Sequence, residues 1–216
     1  MIDLSLNPSS HAHNALDEEI ARAELYGLLS QLYYAPPQAE WLAQLQVAVT
    51  EAPMSGGFLE EPFRQLIGVA RGMHAKAVAD EFDALFGGIG KPDVVVYGSY
   101  HLAGFLNEKP LAALRSDLAA LGLARDEAMS ETEDHVAYVF EVMRYLIAGD
   151  DVSVANLTQQ QRFFSAHVHP WLPKLCDTLT QHPQAKFYAA VGELTRAFIN
   201  VEAQGFDMLD SSSKVL

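Results

Sequence analysis

The segment Ser130-Glu131-Thr132-Glu133-Asp134-His135 concentrates three carboxylates and one imidazole within five residues. Side chains of these types hold cations, ligate metals or move protons. Ser130 and Glu133 stand at the S-x-x-E spacing of a capping box, which predicts a helix over 130–148 that stops at Gly149. First-turn carboxylates also suit the positive end of a helix, and that accounts for Glu133 and part of Glu131. On such a helix Asp134, Tyr138, Glu141 and Tyr145 fall at i, i+4, i+7 and i+11 and share a face. Val136, Val139, Phe140, Met143 and Ile147 form a separate apolar face for the core, with His135 between the two. A stripe of carboxylates and tyrosines reads as a recognition surface.

Other chemistries fit the residues less well. A metal-dependent helical enzyme using His135, His167, His169 and acidic neighbours is the alternative reading, but no H-E-x-x-H spacing accompanies these ligand types. His169-Pro170-Trp171 reads as the start of a helix with proline at its first position. The run from Gly87 to Lys91 fails the phosphate-loop pattern G-x-x-x-x-G-K-[ST], because Lys91 is followed by Pro92. There is no G-x-S-x-G nucleophile motif, and Cys176, the single cysteine, lies in a leucine-rich helical stretch as a buried, inert thiol.

Composition narrows the class. The chain has 216 residues, half of them hydrophobic, enough for one helical domain with a substantial core. Fourteen basic against 28 acidic residues give a net charge of −14, a field that repels nucleic acid and attracts basic peptides. One cysteine allows no internal disulfide, the first residues lack a signal-peptide pattern, and no apolar run approaches the length of a membrane span. A cytoplasmic location, with no metal or other cofactor, is expected.

The elements that must position the acidic cluster are helices. Residues 1–14 read as a flexible leader and 205–216 as a flexible tail, with an all-helical domain between them over 15–204. Apolar periodicity predicts helices over 17–34, 38–50, 61–73, 75–86, 99–106, 110–121, 130–148, 152–165, 170–179 and 185–203, about ten in all. It leaves open whether Gly72 divides the third from the fourth. A break spans 52–57 and a glycine-rich connector 87–93. Val94-Val95-Val96 is expected as an extended buried connector, since no partner strand offers itself.

Glu131, Asp134-His135 and Glu141-Val142-Met143 together resemble the E-P-x-D-H-x-x-x-x-x-E-x-M signature of the TorD/DmsD/NarJ family of chaperones for molybdenum-cofactor oxidoreductases. Glu81-Phe82-Asp83-Ala84-Leu85-Phe86-Gly87 is similar to the family's acidic-F-x-x-L-F-G segment, and Tyr97-Gly98-Ser99-Tyr100-His101-Leu102 to its Y-x-S-x-Y-L block. Arg115, Gly122-Leu123, the Phe164, His167, Trp171 spacing and Phe187-Tyr188 extend the resemblance over about 80–200, with Thr132 standing where the family commonly has proline. The resemblance implies an all-α TorD-like fold that acts by binding and is no enzyme. It implies a cytoplasmic chaperone that binds the twin-arginine signal peptide or the apo form of a molybdoenzyme subunit until its cofactor is inserted. The implied binding residues are Phe86, Tyr97, Ser99, Tyr100, Glu131, Asp134, His135, Tyr138, Glu141 and Trp171. Among these, Asp134 and Glu131 are expected to hold the peptide's positive charge, His135 to orient Asp134, and Tyr97, Tyr100 and Trp171 to line the apolar part of the groove. The glycine connector would let the groove open or let helices exchange, as a monomer or a domain-swapped dimer.

Overall fold

The computed structural model describes residues 8–48, 58–87, 91–126 and 129–213. Ten α-helices and one π-helical turn make up the described chain, with no strand among the described residues. In order they are α1 (Pro8–Tyr34), α2 (Ala39–Val47), α3 (Glu60–Arg71), α4 (Ala75–Phe86), α5 (Gly98–Ala103), α6 (Lys109–Ala120), α7 (Val136–Ala148), α8 (Leu157–Phe163), α9 (Leu172–Gln181) and α10 (Phe187–Ser213); the π turn, Phe164–Val168, follows α8 directly.

The all-α expectation holds, and the core lies where the apolar stripes meet. Tyr26, Leu29 and Tyr33 of α1 pack on Val139, Phe140 and Met143 of α7, all of them buried. Tyr26 makes ring contacts with Phe140 (5.6 Å) and, edge-on, with Phe198 of α10 (4.7 Å), so three helices share one aromatic centre. Helix α9 lays Leu175, Cys176 and Leu179 against α10, where Gly192 permits the approach: a Cβ there would sit 3.1 Å from that of Leu179. Buried ionic groups tie the same helices together. Arg22 grips Glu202 with two hydrogen bonds (2.7 and 2.8 Å), Tyr26 donates to the same carboxylate (3.0 Å), and Gln160 of α8 joins through Arg22 (3.2 Å).

Local signals account for most boundaries. Gly72 does divide α3 from α4, and His74 caps α4 by accepting from the Ala77 N–H (3.1 Å). Helix α6 opens with Pro110 and closes at Gly122, whose φ of +71° favours glycine. Val94 to Val96 are buried and extended, as expected: Val94 N–H donates to Leu85 (2.9 Å), and Val96 accepts from Val136 N–H (2.9 Å).

Several boundaries depart from expectation, among them α8, which begins at Leu157 and not at 152, and α5, which ends at Ala103 and not at 106. Helix α1 begins at Pro8, inside the segment read as a leader. Helix α10 continues to Ser213, through the segment read as a tail, because Phe206 is buried against Phe164 (5.0 Å) and beneath Arg22 (5.7 Å). Most consequential, α7 starts at Val136, so residues 130–135 form a turn ahead of it and the capping box is not made. Glu133 is drawn instead to Arg115 and Arg125, and His135 serves as the cap. Residues 88–90 of the glycine connector and the break at 52–57 lie outside the described residues.

Candidate functional site

The turn before α7 is stitched to the start of α5. Gly98 N–H donates to the Asp134 carbonyl (2.9 Å) beside a single antiparallel bridge between Tyr97 and His135. The Asp134 side chain, 4% exposed, accepts from Ser99 N–H (2.8 Å) and from the Thr132 hydroxyl (2.7 Å). It therefore caps α5 from a segment 35 residues away, a favourable place for a carboxylate at the positive end of a helix. Thr132, in place of the proline of the resembled signature, supplies a donor that proline lacks. Asp134 thus faces inward and positions the site, in place of the expected solvent-facing contact with a cation.

His135 is buried as well, and its Nδ1 accepts from Ala137 N–H (3.2 Å) in place of the expected contact with Asp134. Three tyrosine rings surround the imidazole: Tyr97 at 5.1 Å, Tyr138 at 5.7 Å and Tyr34 at 6.4 Å. Burial pushes its pKa down to about 4, overriding the opposing pull of Glu131 and Asp134, so the ring is neutral at pH 7. The Tyr97 hydroxyl donates to the Glu131 carboxylate, which also accepts from Ser130 (3.3 Å). Burial first, then Glu131, raises the Tyr97 hydroxyl well above the ordinary tyrosine value. Burial, with Tyr34 next, pushes Tyr138 up to about 12.

Tyr138 also borders an open furrow. Between α6 and α7 a hollow of about 340 Å³ is lined by Leu118, Leu123, Met129 and Val142, with Tyr138, Glu133 and Glu141 beside them. Glu141 is shared with a second hollow of about 400 Å³, formed by Glu24, Gly27, Leu28, Gln31 and Arg144 with Trp41. Gln31 and Trp41 in turn belong to a third, of about 310 Å³, which runs past Tyr34 and Pro36-Pro37. Through these shared residues the three hollows adjoin as one surface furrow, apolar in its first and third parts and more polar in the second, with acidic groups along the first two. Two of its carboxylates already carry arginines of this chain: Arg115 (2.8 Å) and Arg125 (3.9 Å) on Glu133, Arg144 (2.8 Å) on Glu141. Burial alone would raise the Glu133 carboxyl, but the hydrogen bond and charge of Arg115, with Arg125, hold it below its ordinary value.

The remaining predicted residues divide between interior and rim. Phe86 is half-buried among Tyr33, Phe82 and Tyr188. Ser99 is fully buried, and its hydroxyl has no hydrogen-bond partner among the described residues. Tyr100 is half-buried, its hydroxyl accepting from Lys91 (2.8 Å). Trp171, expected in the groove lining, is core: it is 1% exposed, donates to the His167 carbonyl (2.7 Å) and stacks on His101 (5.4 Å). Tyr97, Glu131, Tyr138 and Glu141 are partly accessible. Sequence reasoning passed over Tyr34, Trp41, Leu118 and Val142 as furrow residues. The only signal for them was Tyr34 standing directly ahead of the helix-stopping Pro36-Pro37. It also missed Glu81, whose buried carboxylate accepts from the N–H groups of Lys186 (2.8 Å), Phe187 (3.2 Å) and Tyr188 (2.8 Å) and caps α10.

The histidines of the metal reading are dispersed. His167 pairs with Asp117 (2.7 Å), His169 stacks on Phe164 (5.7 Å), and among the described residues no three His, Cys, Asp or Glu side chains are grouped to share an ion. Cys176 is buried, which pushes its thiol up to about 12. Among the described residues no helix is long and apolar enough to cross a membrane.

These features define an all-helical domain with a long surface furrow. The family model described as nitrate reductase delta subunit matches residues 57–177, and the chain belongs to that family. It is similar to the chaperone protein TorD of Vibrio cholerae serotype O1, 27% identical over 204 residues that cover 87% of this chain and 93% of the relative. TorD of Aliivibrio fischeri is 26% identical over 200 residues, 85% of this chain and 93% of that protein. TorD of Vibrio parahaemolyticus is 25% identical over 134 residues, 58% of this chain and 62% of that protein.

Proposed function

We propose that this protein is a cytoplasmic chaperone for a molybdenum-cofactor oxidoreductase, holding its twin-arginine signal peptide, or the apoenzyme that carries it, until the cofactor is inserted. The observation that carries this reading is the furrow: an apolar floor flanked by carboxylates, in a family whose similar members are named TorD chaperones. A twin-arginine leader presents two guanidinium groups followed by an apolar segment. Leu118, Leu123, Val142 and the Tyr138 ring take the apolar segment, and its burial supplies most of the affinity. Glu141 and Glu133, with Glu131 nearby on the Tyr97 side, take the guanidinium groups. Asp134, His135 and Ser99 act beneath them as the rigid base that fixes where α5 and α7 begin.

A net charge of −14 speeds encounter with a cationic leader, and rising salt slows it. The function is binding: no step of it forms or breaks a bond on this chain. Titration calorimetry with a synthetic leader peptide tests the reading. A saturable, salt-sensitive complex is expected with the two-arginine leader; no binding to leader or to apoenzyme refutes it.

A further inference from the structure

Two rim carboxylates of the first hollow, Glu133 and Glu141, already hold a guanidinium group from this chain. Arg115 of α6 sits on Glu133 through Nε (2.9 Å) and Nη2 (2.8 Å), and Arg144 of α7 sits on Glu141 through Nε (2.8 Å). The two arginine side chains are each 52% exposed, while Glu133 is 15% and Glu141 40% exposed. Arg144 also lines the second hollow, where it packs so closely on Gly27 of α1 that a Cβ there would sit 3.0 Å from its Cδ. So the positions a ligand's cations would take are filled, and filled by side chains that are themselves half in water.

We infer that Arg115 and Arg144 are internal stand-ins for the ligand's two guanidinium groups, displaced when a leader seats, and that this exchange holds leader affinity down. The inference rests on the function proposed above. Displacement is a like-for-like swap. Arg115 contacts Glu133 only through Oε2, and Arg144 makes one contact with Glu141. Exposed ion pairs contribute little, so each arginine is released and rehydrated at small cost, while an incoming guanidinium takes up the freed carboxylate. The occupied rim therefore lowers the affinity of any ligand whose cations must displace these arginines, by a modest factor at each position.

The test is calorimetry on the full chain with two synthetic leaders that differ only in Arg-Arg or Lys-Lys. Wild type, Arg115→Gln/Arg144→Gln, and the same pair combined with Glu133→Gln/Glu141→Gln are compared, with thermal melts to show that each is folded. In the arginine variant both leaders bind more tightly, the Arg-Arg form by about two- to fivefold per position, and the Lys-Lys form by no more than that. In the glutamine background removing the arginines changes nothing. Unchanged or weaker binding in a folded arginine variant overturns the inference, as does an equal gain in the glutamine background. Wild type binding neither leader refutes the proposed function itself, and the exchange with it.

Discussion

The carboxylate of Asp134 accepts a hydrogen bond from the backbone N–H of Ser99 at 2.8 Å, with its other oxygen held by Thr132 at 2.7 Å. An acidic residue in a motif that invites a ligand-binding role is thus an N-terminal cap for a neighbouring helix. Asp134→Ala leaves the Ser99 N–H and the Thr132 hydroxyl without their acceptor in a buried place. The expected loss is about 1–3 kcal/mol of stability, read as a lower denaturant midpoint with an unchanged slope. Asp134→Asn, which keeps one acceptor oxygen, is expected to lose less.

His135 links stability to pH. Its folded pKa of about 4 lies below the ordinary value of 6.5, so the unfolded chain takes up the proton first as pH falls. The contribution is fully present above about pH 6.5 and is lost progressively down to about pH 4, to a limit of about 3 kcal/mol. Thermal melts between pH 7 and 5 check the sign: the wild-type midpoint falls, and His135→Asn, which retains a capping acceptor, flattens that slope.

Glu141 is partly exposed and paired only with its helical neighbour Arg144 among the hydrogen bonds of its side chain. Glu141→Gln is expected to change stability by less than about 0.5 kcal/mol. Leader affinity is expected to fall several-fold and its salt dependence to weaken. Calorimetry at two ionic strengths, beside a thermal melt, separates the two effects.

Glu202 is 5% exposed and accepts from Arg22 and Tyr26. Replacing it by Gln leaves a guanidinium group in a largely closed site without its counter-charge, at a cost of about 3 kcal/mol. Chemical denaturation measures the loss. The furrow lies elsewhere, so leader affinity of the folded variant is expected to stay at the wild-type level.

Periodic apolar residues made the helical framework legible in the chain: the α6 start at Pro110 and stop at Gly122 and the buried face of α7 read correctly, and the α1 stripe in part, with Leu29 and Leu32 buried and Ile20 exposed, because periodicity and caps are local signals. What misled was local chemistry with distant partners. Ser130 and Glu133 have the spacing of a capping box, yet Glu133 answers to Arg115 and Arg125 across the fold. Glu81 looks like one more surface acid of α4, but it closes the start of α10, 105 residues onward. Gly205 read as the end of order, whereas Phe206 beside it is buried on Phe164. Of the candidate site, the acidic motif was visible and its orientation was not. The furrow floor draws on α6 and α7, and its continuation on α1 and α2, which no single window of sequence contains.

The bridge from Tyr97 to His135, with Val96 bonded to Val136 and Gly98 to Asp134, has a consequence for how such proteins diversify. The described residues between these stitches, α5 and α6 among them, leave and rejoin the fold side by side, while Leu114 and Leu118 of α6 join the core and Asp117 pairs with His167. Lengthening the exposed turn between α5 and α6, 104–108, therefore costs little loop entropy and leaves the α1–α7–α10 centre untouched.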